Sequence, residues 1–206
     1  MNQQLQQQNV KVTIFQKLLL RIPIPVSVIY TFYVLNIIFT KKNEIFTLFK
    51  IDPYQNSTEA KLSFISKVFF ALGLIIGVLI QITMTFRIIL GTKLGTNGSE
   101  PFPIVFLNKL LNNSLQNYFF FLGNILFFTF SDNQKFDQNH VFQKNVILAC
   151  VSLFYILSRV VFCVTYAIGV AIGAPALRAF GHIPCHFLSI MLLLQNLGYD
   201  IFSSYL

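Results

Sequence analysis

Five long apolar runs, separated by polar connections, dominate the pattern of this 206-residue chain. They cover about residues 22–40, 68–90, 102–130, 145–170 and 183–199. A helix needs roughly 20 mostly apolar residues to cross a bilayer, so each run is long enough to favour a transmembrane helix. The alternation of polar and apolar positions that marks a membrane β-barrel is absent from the sequence. The pattern therefore predicts an all-α integral membrane protein.

The polar connections differ in length. Residues 1–21 form a polar, Gln-rich N-terminal tail, and residues 41–67 form a polar loop with room for a short interfacial helix. The tail and the residues after it hold no acidic residue before Glu44. An acid-poor N-terminus of this kind is a feature of mitochondrial targeting regions.

Composition supports a membrane environment. The chain is 55% hydrophobic and 11% charged, with a mean hydropathy of +0.66, whereas a soluble domain carries about 25% charged residues. The net charge of +8 comes from basic residues scattered at the edges of the apolar runs, where they reach lipid headgroups or aqueous loops. Since no basic stripe with interleaved aromatic residues is found, we expect membrane lipids, and no nucleic acid, as partners.

The positions of the charged residues relative to the runs limit the possible chemistry. All seven acidic residues lie outside or at the edges of the runs, which argues against a proton relay of intramembrane Asp or Glu and excludes a paired-carboxylate hydrolase. Arg159, in contrast, lies near the middle of the fourth run. It must face protein, water or a ligand, because a charge there is costly. Its partner is expected to be backbone carbonyls, an anionic ligand, a lipid phosphate or an acid of another chain.

Two stripes of polar residues are the candidate binding groups. Lys109, Asn113 and Gln116 are spaced i, i+4, i+7 and share one helix face, while Tyr166 lies two turns after Arg159 on the same face of the fourth run. The two stripes could line one cavity, or they could form interhelical hydrogen bonds without a ligand.

The cysteine and histidine residues do not predict a metal site. The segment around Cys185 reads H-x-x-C-H from His182 to His186, a poor match to zinc patterns with no evident fourth ligand. We therefore expect no metal and interpret the histidines as interfacial polar residues. The three cysteines show no disulfide spacing and are expected to be free thiols.

Three segments resemble the MAPEG family, the membrane-associated proteins of eicosanoid and glutathione metabolism that include the microsomal glutathione transferases. They are ITMTFRIILGTKLGTNGSE (residues 82–100), KLLNNSLQ (109–116) and RVVFCVTYAIGVAIGAPALRAFG (159–181). The resemblance covers residues 62–199. It implies a four-helix transmembrane bundle in residues 68–206, and it makes residues 22–40 an additional N-terminal transmembrane helix.

The resemblance also implies a glutathione site between the subunits of a homotrimer. Asn113, Arg159 and Tyr166 match family positions that bind glutathione, and Arg178 is the candidate for the arginine that stabilises the thiolate, although the interval from Tyr166 is longer than the family's. Lys109 and Gln116 replace an arginine and a glutamate. Lysine lacks the bidentate fork of arginine and glutamine cannot form a charged pair, so the implied site is a weakened, vestigial one.

Three functions follow as hypotheses. The first is a non-catalytic, MAPEG-like structural or accessory subunit of a larger membrane complex, with a respiratory complex of the mitochondrial inner membrane as the expected host and no cofactor. The second is a glutathione-dependent transferase or peroxidase of the endoplasmic reticulum membrane, possible as a homotrimer, in which Tyr166 and Arg178 act on the thiol. The third is a channel or carrier, for which the sequence lacks paired half-repeats.

Overall fold

The computed structural model describes residues 22–91, 101–131, 138–172 and 174–206, and every regular element in these ranges is helical. The predicted tail, residues 1–21, lies outside them. The helices are α1 (Pro23–Thr40), α2 (Lys42–Phe49), α3 (Thr58–Ile89), α4 (Phe102–Phe130), α5 (Gln138–Ala171) and α6 (Ala179–Asn196), with 3₁₀ turns at Pro175–Arg178 and Ser203–Tyr205. The expected all-α class is confirmed for the described part of the chain.

Four of these helices are long and apolar enough to cross a membrane: α1, α3, α5, and α6 together with the turn before it. This finding is compatible with the predicted integral membrane protein. The helix α4 spans the predicted residues 102–130 but is not among the four. Its first half is too polar, because Lys109 and a series of asparagine and glutamine residues follow one another there. The surroundings of these polar side chains are therefore described with the candidate site.

The predicted polar loop, residues 41–67, is mostly helical. It contains the short helix α2 and the first ten residues of α3, which begins at Thr58 instead of residue 68. The hydroxyl oxygen of Ser57 accepts a hydrogen bond from the Ala60 amide at 3.2 Å, so Ser57 caps α3 at this earlier point. The apolar run therefore corresponds only to the part of α3 that is hydrophobic enough to contact lipid.

The helix α5 occupies the centre of the bundle. In its most apolar window 67% of the residues are buried, compared with 28% for α3 and 33% for α1. Its side chains Phe154 and Tyr155 are almost fully enclosed, and the Tyr155 ring stacks on Phe121 of α4 with 3.6 Å between ring centroids. The other helices pack around α5, which is why its polar residues have mostly protein neighbours.

Hydrogen bonds between helices supplement this packing. The Tyr155 hydroxyl donates to the Asn117 carbonyl at 2.7 Å and ties α5 to α4. The Asn196 side-chain amide donates to the Asn124 carbonyl at 3.0 Å and ties α6 to α4. Such bonds between membrane helices contribute roughly 0.6 to 2 kcal/mol each, and here they fix the register of the central helices.

The closest contact between α5 and α6 depends on Gly181. A Cβ atom at this position would lie 2.2 Å from the backbone nitrogen of Phe162 and 2.4 Å from its Cα. Only a residue without a side chain allows this approach, which is a known device of membrane helix packing. The contact brings the start of α6 against the second half of α5.

We expect Gly181→Ala to destabilise the bundle by about 2 kcal/mol or more, because the methyl group would push two backbones apart. The measurement is the thermal unfolding midpoint of the purified protein in mild detergent. Gly77→Ala in α3 is the matched control, since no atom lies within 4 Å of a Cβ there. Equal midpoints for the two variants would contradict the proposed close contact.

Candidate functional site

A cavity of about 290 Å³ lies between α4, α5 and α6 near one end of the bundle. Its lining residues are Lys109, Asn113, Phe162, Tyr166, Arg178 and His182. Four of the six residues that the sequence singled out for binding or catalysis therefore come together at one place: Lys109, Asn113, Tyr166 and Arg178. The other two, Gln116 and Arg159, are not among the lining residues.

A sharp fold-back after α5 brings Arg178 to this cavity. The Ala174 amide donates to the Gly169 carbonyl at 2.6 Å, and a Cβ on Gly169 would lie 2.6 Å from the Ala174 oxygen, so the glycine permits the turn. The 3₁₀ turn Pro175–Arg178 then leads into α6. The chain reverses direction between Tyr166 and Arg178, so the two residues are close in space although they are far apart in sequence. The Arg178 guanidinium lies 6.0 Å from the centre of the Tyr166 ring.

Aromatic rings form one side of the cavity. The Tyr166 ring stacks between Phe106 of α4, at 5.0 Å, and Phe162 of α5, at 5.6 Å, and both pairs are close to parallel. The Phe162 ring also contacts His182 of α6, with 5.7 Å between centroids. Three helices thus hold Tyr166 and His182 in place.

The charge of the cavity is positive. Lys109 and Arg178 supply two cationic side chains, Asn113 and Tyr166 supply hydrogen-bond groups, and none of the lining residues is acidic. Lysine and arginine donate charge-assisted hydrogen bonds to carboxylates and phosphates. The arrangement is therefore suited to a small polar anion.

Arg159 lies behind the cavity wall. It is 3% exposed, and its guanidinium carbon sits 4.7 Å from the centre of the Phe162 ring. Because Phe162 lines the cavity and Arg159 does not, the aromatic ring separates the guanidinium from the cavity. Instead, Arg159 borders a smaller crevice together with Ser114 and Tyr155.

Gln116 points away from the cavity. It is the midpoint residue of α4 and is exposed, whereas its neighbours Ser114 and Asn117 are buried. The stripe that the sequence predicted as one face is thus divided between two environments. Lys109 and Asn113 line the cavity, while Gln116 lies on the outside of the bundle.

His182 is a cavity residue that the sequence interpretation missed. The H-x-x-C-H pattern predicts an interfacial histidine. In the structure the His182 ring lies between the rings of Phe162 and His186, with 4.2 Å between the centroids of the two histidine rings. Its Nδ1 atom is buried without a hydrogen-bond partner. Within the described ranges, no three His, Cys, Asp or Glu residues are grouped so that they could hold a metal ion. The signal that could have identified His182 is the tertiary contact at Gly181, which no local pattern contains.

Comparisons with known proteins do not assign a family to this geometry. The chain matches no protein-family model, no curated protein and no solved structure.

Proposed function

We propose that this chain is a non-catalytic subunit of a larger membrane protein complex, built on a MAPEG-like bundle with an additional N-terminal helix. The observation that carries the proposal is the position of Gln116, exposed at the midpoint of a 29-residue helix. If α4 crosses the membrane with its neighbours, this amide lies near the bilayer centre, where lipid offers no hydrogen bond. A protein partner that covers Gln116 removes this cost.

Further exposed polar residues support the same partner surface. Lys109 and Asn112 precede Gln116 on α4 and are exposed as well. We call the three residues Lys109, Asn112 and Gln116 the α4 polar face. Polar side chains between membrane helices stabilise association by interhelical hydrogen bonds. On α3, in contrast, the exposed Phe70 and Ile88 are apolar and suit lipid, although Gln81 is exposed there as well.

The proposed host is a respiratory complex of the mitochondrial inner membrane. What supports this location is the N-terminal part of the sequence, in which basic residues occur and the first acidic residue is Glu44. The proposed partners are the other membrane subunits of that complex and its lipids.

Extraction from the native membrane in mild detergent, followed by native gel separation and mass spectrometry, tests this proposal. We expect the chain to migrate in a stable assembly with other respiratory-chain subunits. Gln116→Leu should lower the association constant roughly threefold to tenfold, through the loss of one interhelical hydrogen bond. The control is Phe70→Leu, which changes an apolar side chain on α3 that is 73% exposed. A chain that migrates alone, with Gln116→Leu indistinguishable from wild type, would contradict the proposal.

We propose as the second candidate a glutathione-dependent transferase or peroxidase of the endoplasmic reticulum membrane. The cavity with Lys109, Asn113, Tyr166 and Arg178 favours it, because two cations and two hydrogen-bond groups converge there. Here the bound thiol would ionise beside Tyr166 and Arg178 and attack an electrophile. Gln116 lies outside the cavity and would reach glutathione only across an interface with a second copy of the chain.

Calorimetric titration of the purified protein with glutathione tests the enzyme candidate. Arg178→Gln should weaken binding roughly tenfold, because a charge-assisted hydrogen bond is lost, and Tyr166→Phe should abolish turnover of an electrophilic substrate. Lys41→Gln is the control, since this cation is exposed in an ion pair with Glu44 and lies at the C-terminal end of α1. Glutathione binding that is absent, or equal in all variants, would reject the enzyme candidate and leave the subunit proposal in place.

A further inference from the structure

The guanidinium of Arg159 is buried in the middle of α5. The residue is 3% exposed, and its Nη1 and Nη2 atoms have no hydrogen-bond partner among the described residues. One face of the guanidinium lies against the Phe162 ring, at 4.7 Å. A cation–π contact of this kind offsets part of the cost of burial, but it gives the Nη1 and Nη2 groups no hydrogen-bond acceptor.

No described residue supplies a countercharge. The described acids, Glu44, Asp52, Glu59 and Asp200, lie outside the membrane-length helices or in the first turn of one, far from mid-α5. The one ion pair in the described part of the chain joins Lys41 and Glu44 at the surface.

Other titratable groups near Arg159 do not neutralise it either. The Cys185 thiol accepts a hydrogen bond from the Arg159 side chain and Cys163 lies within its electrostatic range, but a thiol is only a weak hydrogen-bond acceptor and carries no countercharge. His182 and His186 are also within electrostatic range, and protonation would only add positive charge there. An isolated buried charge costs several kcal/mol, so Arg159 requires an anion from outside the described chain.

A crevice beside the guanidinium has room for a small ion. It measures about 10 Å³ and is lined by Leu72, Ile75, Ile76, Ser114, Tyr118, Tyr155 and Arg159. This volume accommodates one particle of about the size of a water molecule. Ser114, 2% exposed, carries a buried hydroxyl that makes no hydrogen bond to an oxygen or nitrogen atom of the described residues, and its polar neighbour is the weakly polar Cys163 thiol. The Tyr155 hydroxyl, in contrast, already donates to the Asn117 carbonyl.

The size and the charge of the crevice together select its occupant. A water molecule would satisfy N–H donors but would leave the net charge uncompensated. A carboxylate, a phosphate or a lipid headgroup is much bulkier than the space between these α3, α4 and α5 side chains, whereas a monatomic halide is only slightly larger than a water molecule. We infer that a single halide ion, chloride in the cell, binds between Arg159 and Ser114 at the centre of the bundle. The inference does not depend on the proposed function, and it gives Arg159 a role other than contact with glutathione.

Thermal unfolding of the purified full chain in mild detergent, in chloride, bromide or gluconate at equal ionic strength, tests the halide site. We expect chloride and bromide to raise the unfolding midpoint saturably by roughly 5 °C above gluconate, because a ligand that binds only the folded state stabilises it. Arg159→Gln should abolish this difference. Lys109→Gln, which removes a cation from the neighbouring cavity, should retain it.

Ser114→Ala keeps the test decisive if Arg159→Gln does not fold. Loss of one hydrogen bond to the ion should raise the half-saturating chloride concentration roughly tenfold. Equal midpoints of the wild type in chloride and gluconate would overturn the inference and leave water in the crevice. A chloride effect that Ser114→Ala leaves unchanged, or that Lys109→Gln removes, would place the ion elsewhere and also overturn it.

Discussion

The arrangement of this bundle depends on one constraint: a polar group at membrane depth must find a partner in protein, water or ligand, because lipid offers none. The central helix α5 satisfies the constraint by burial, with the Tyr155 hydroxyl bonded to a carbonyl of α4. Arg159 and Gln116 are two places where the described chain does not satisfy it by itself. We propose a small ion at the first and a protein surface at the second.

The same constraint explains the mixed character of α4. Its first half carries enough polar residues to fall below the hydropathy of a typical span, yet these residues serve different purposes. Lys109 and Asn113 line the cavity, the Asn117 amide donates to a carbonyl one turn earlier, and Gln116 lies outside. A helix that faces a cavity, its neighbours and a proposed partner at once cannot be uniformly apolar. For this reason we propose that α4 carries both the residues that line the cavity and the surface that binds a partner.

The sequence predicted a helix in each of the five apolar runs, and the structure has a helix in each of them. The range of α4, residues 102–130, agrees with the structure. Helical spacing singled out three of the four predicted cavity residues, Lys109, Asn113 and Tyr166, and the family resemblance supplied Arg178. Start points were less accurate: α3 begins ten residues earlier than its apolar run, because the Ser57 cap and not hydropathy sets that end. The entry of His182 into the cavity could not be predicted, since it follows from the close contact at the neighbouring Gly181. The place of Arg159 behind the Phe162 ring depends on how that ring packs against other helices, which no local pattern contains.

The central claim is that protein, and not lipid, covers the α4 polar face. Site-specific photo-crosslinking in the native membrane tests it most directly, with a photoreactive residue at position 116 and, as reference, at position 70, where Phe70 is 73% exposed on α3. The account predicts a crosslink from position 116 to a protein partner and crosslinks from position 70 to lipid. Crosslinks to lipid alone from both positions would contradict it.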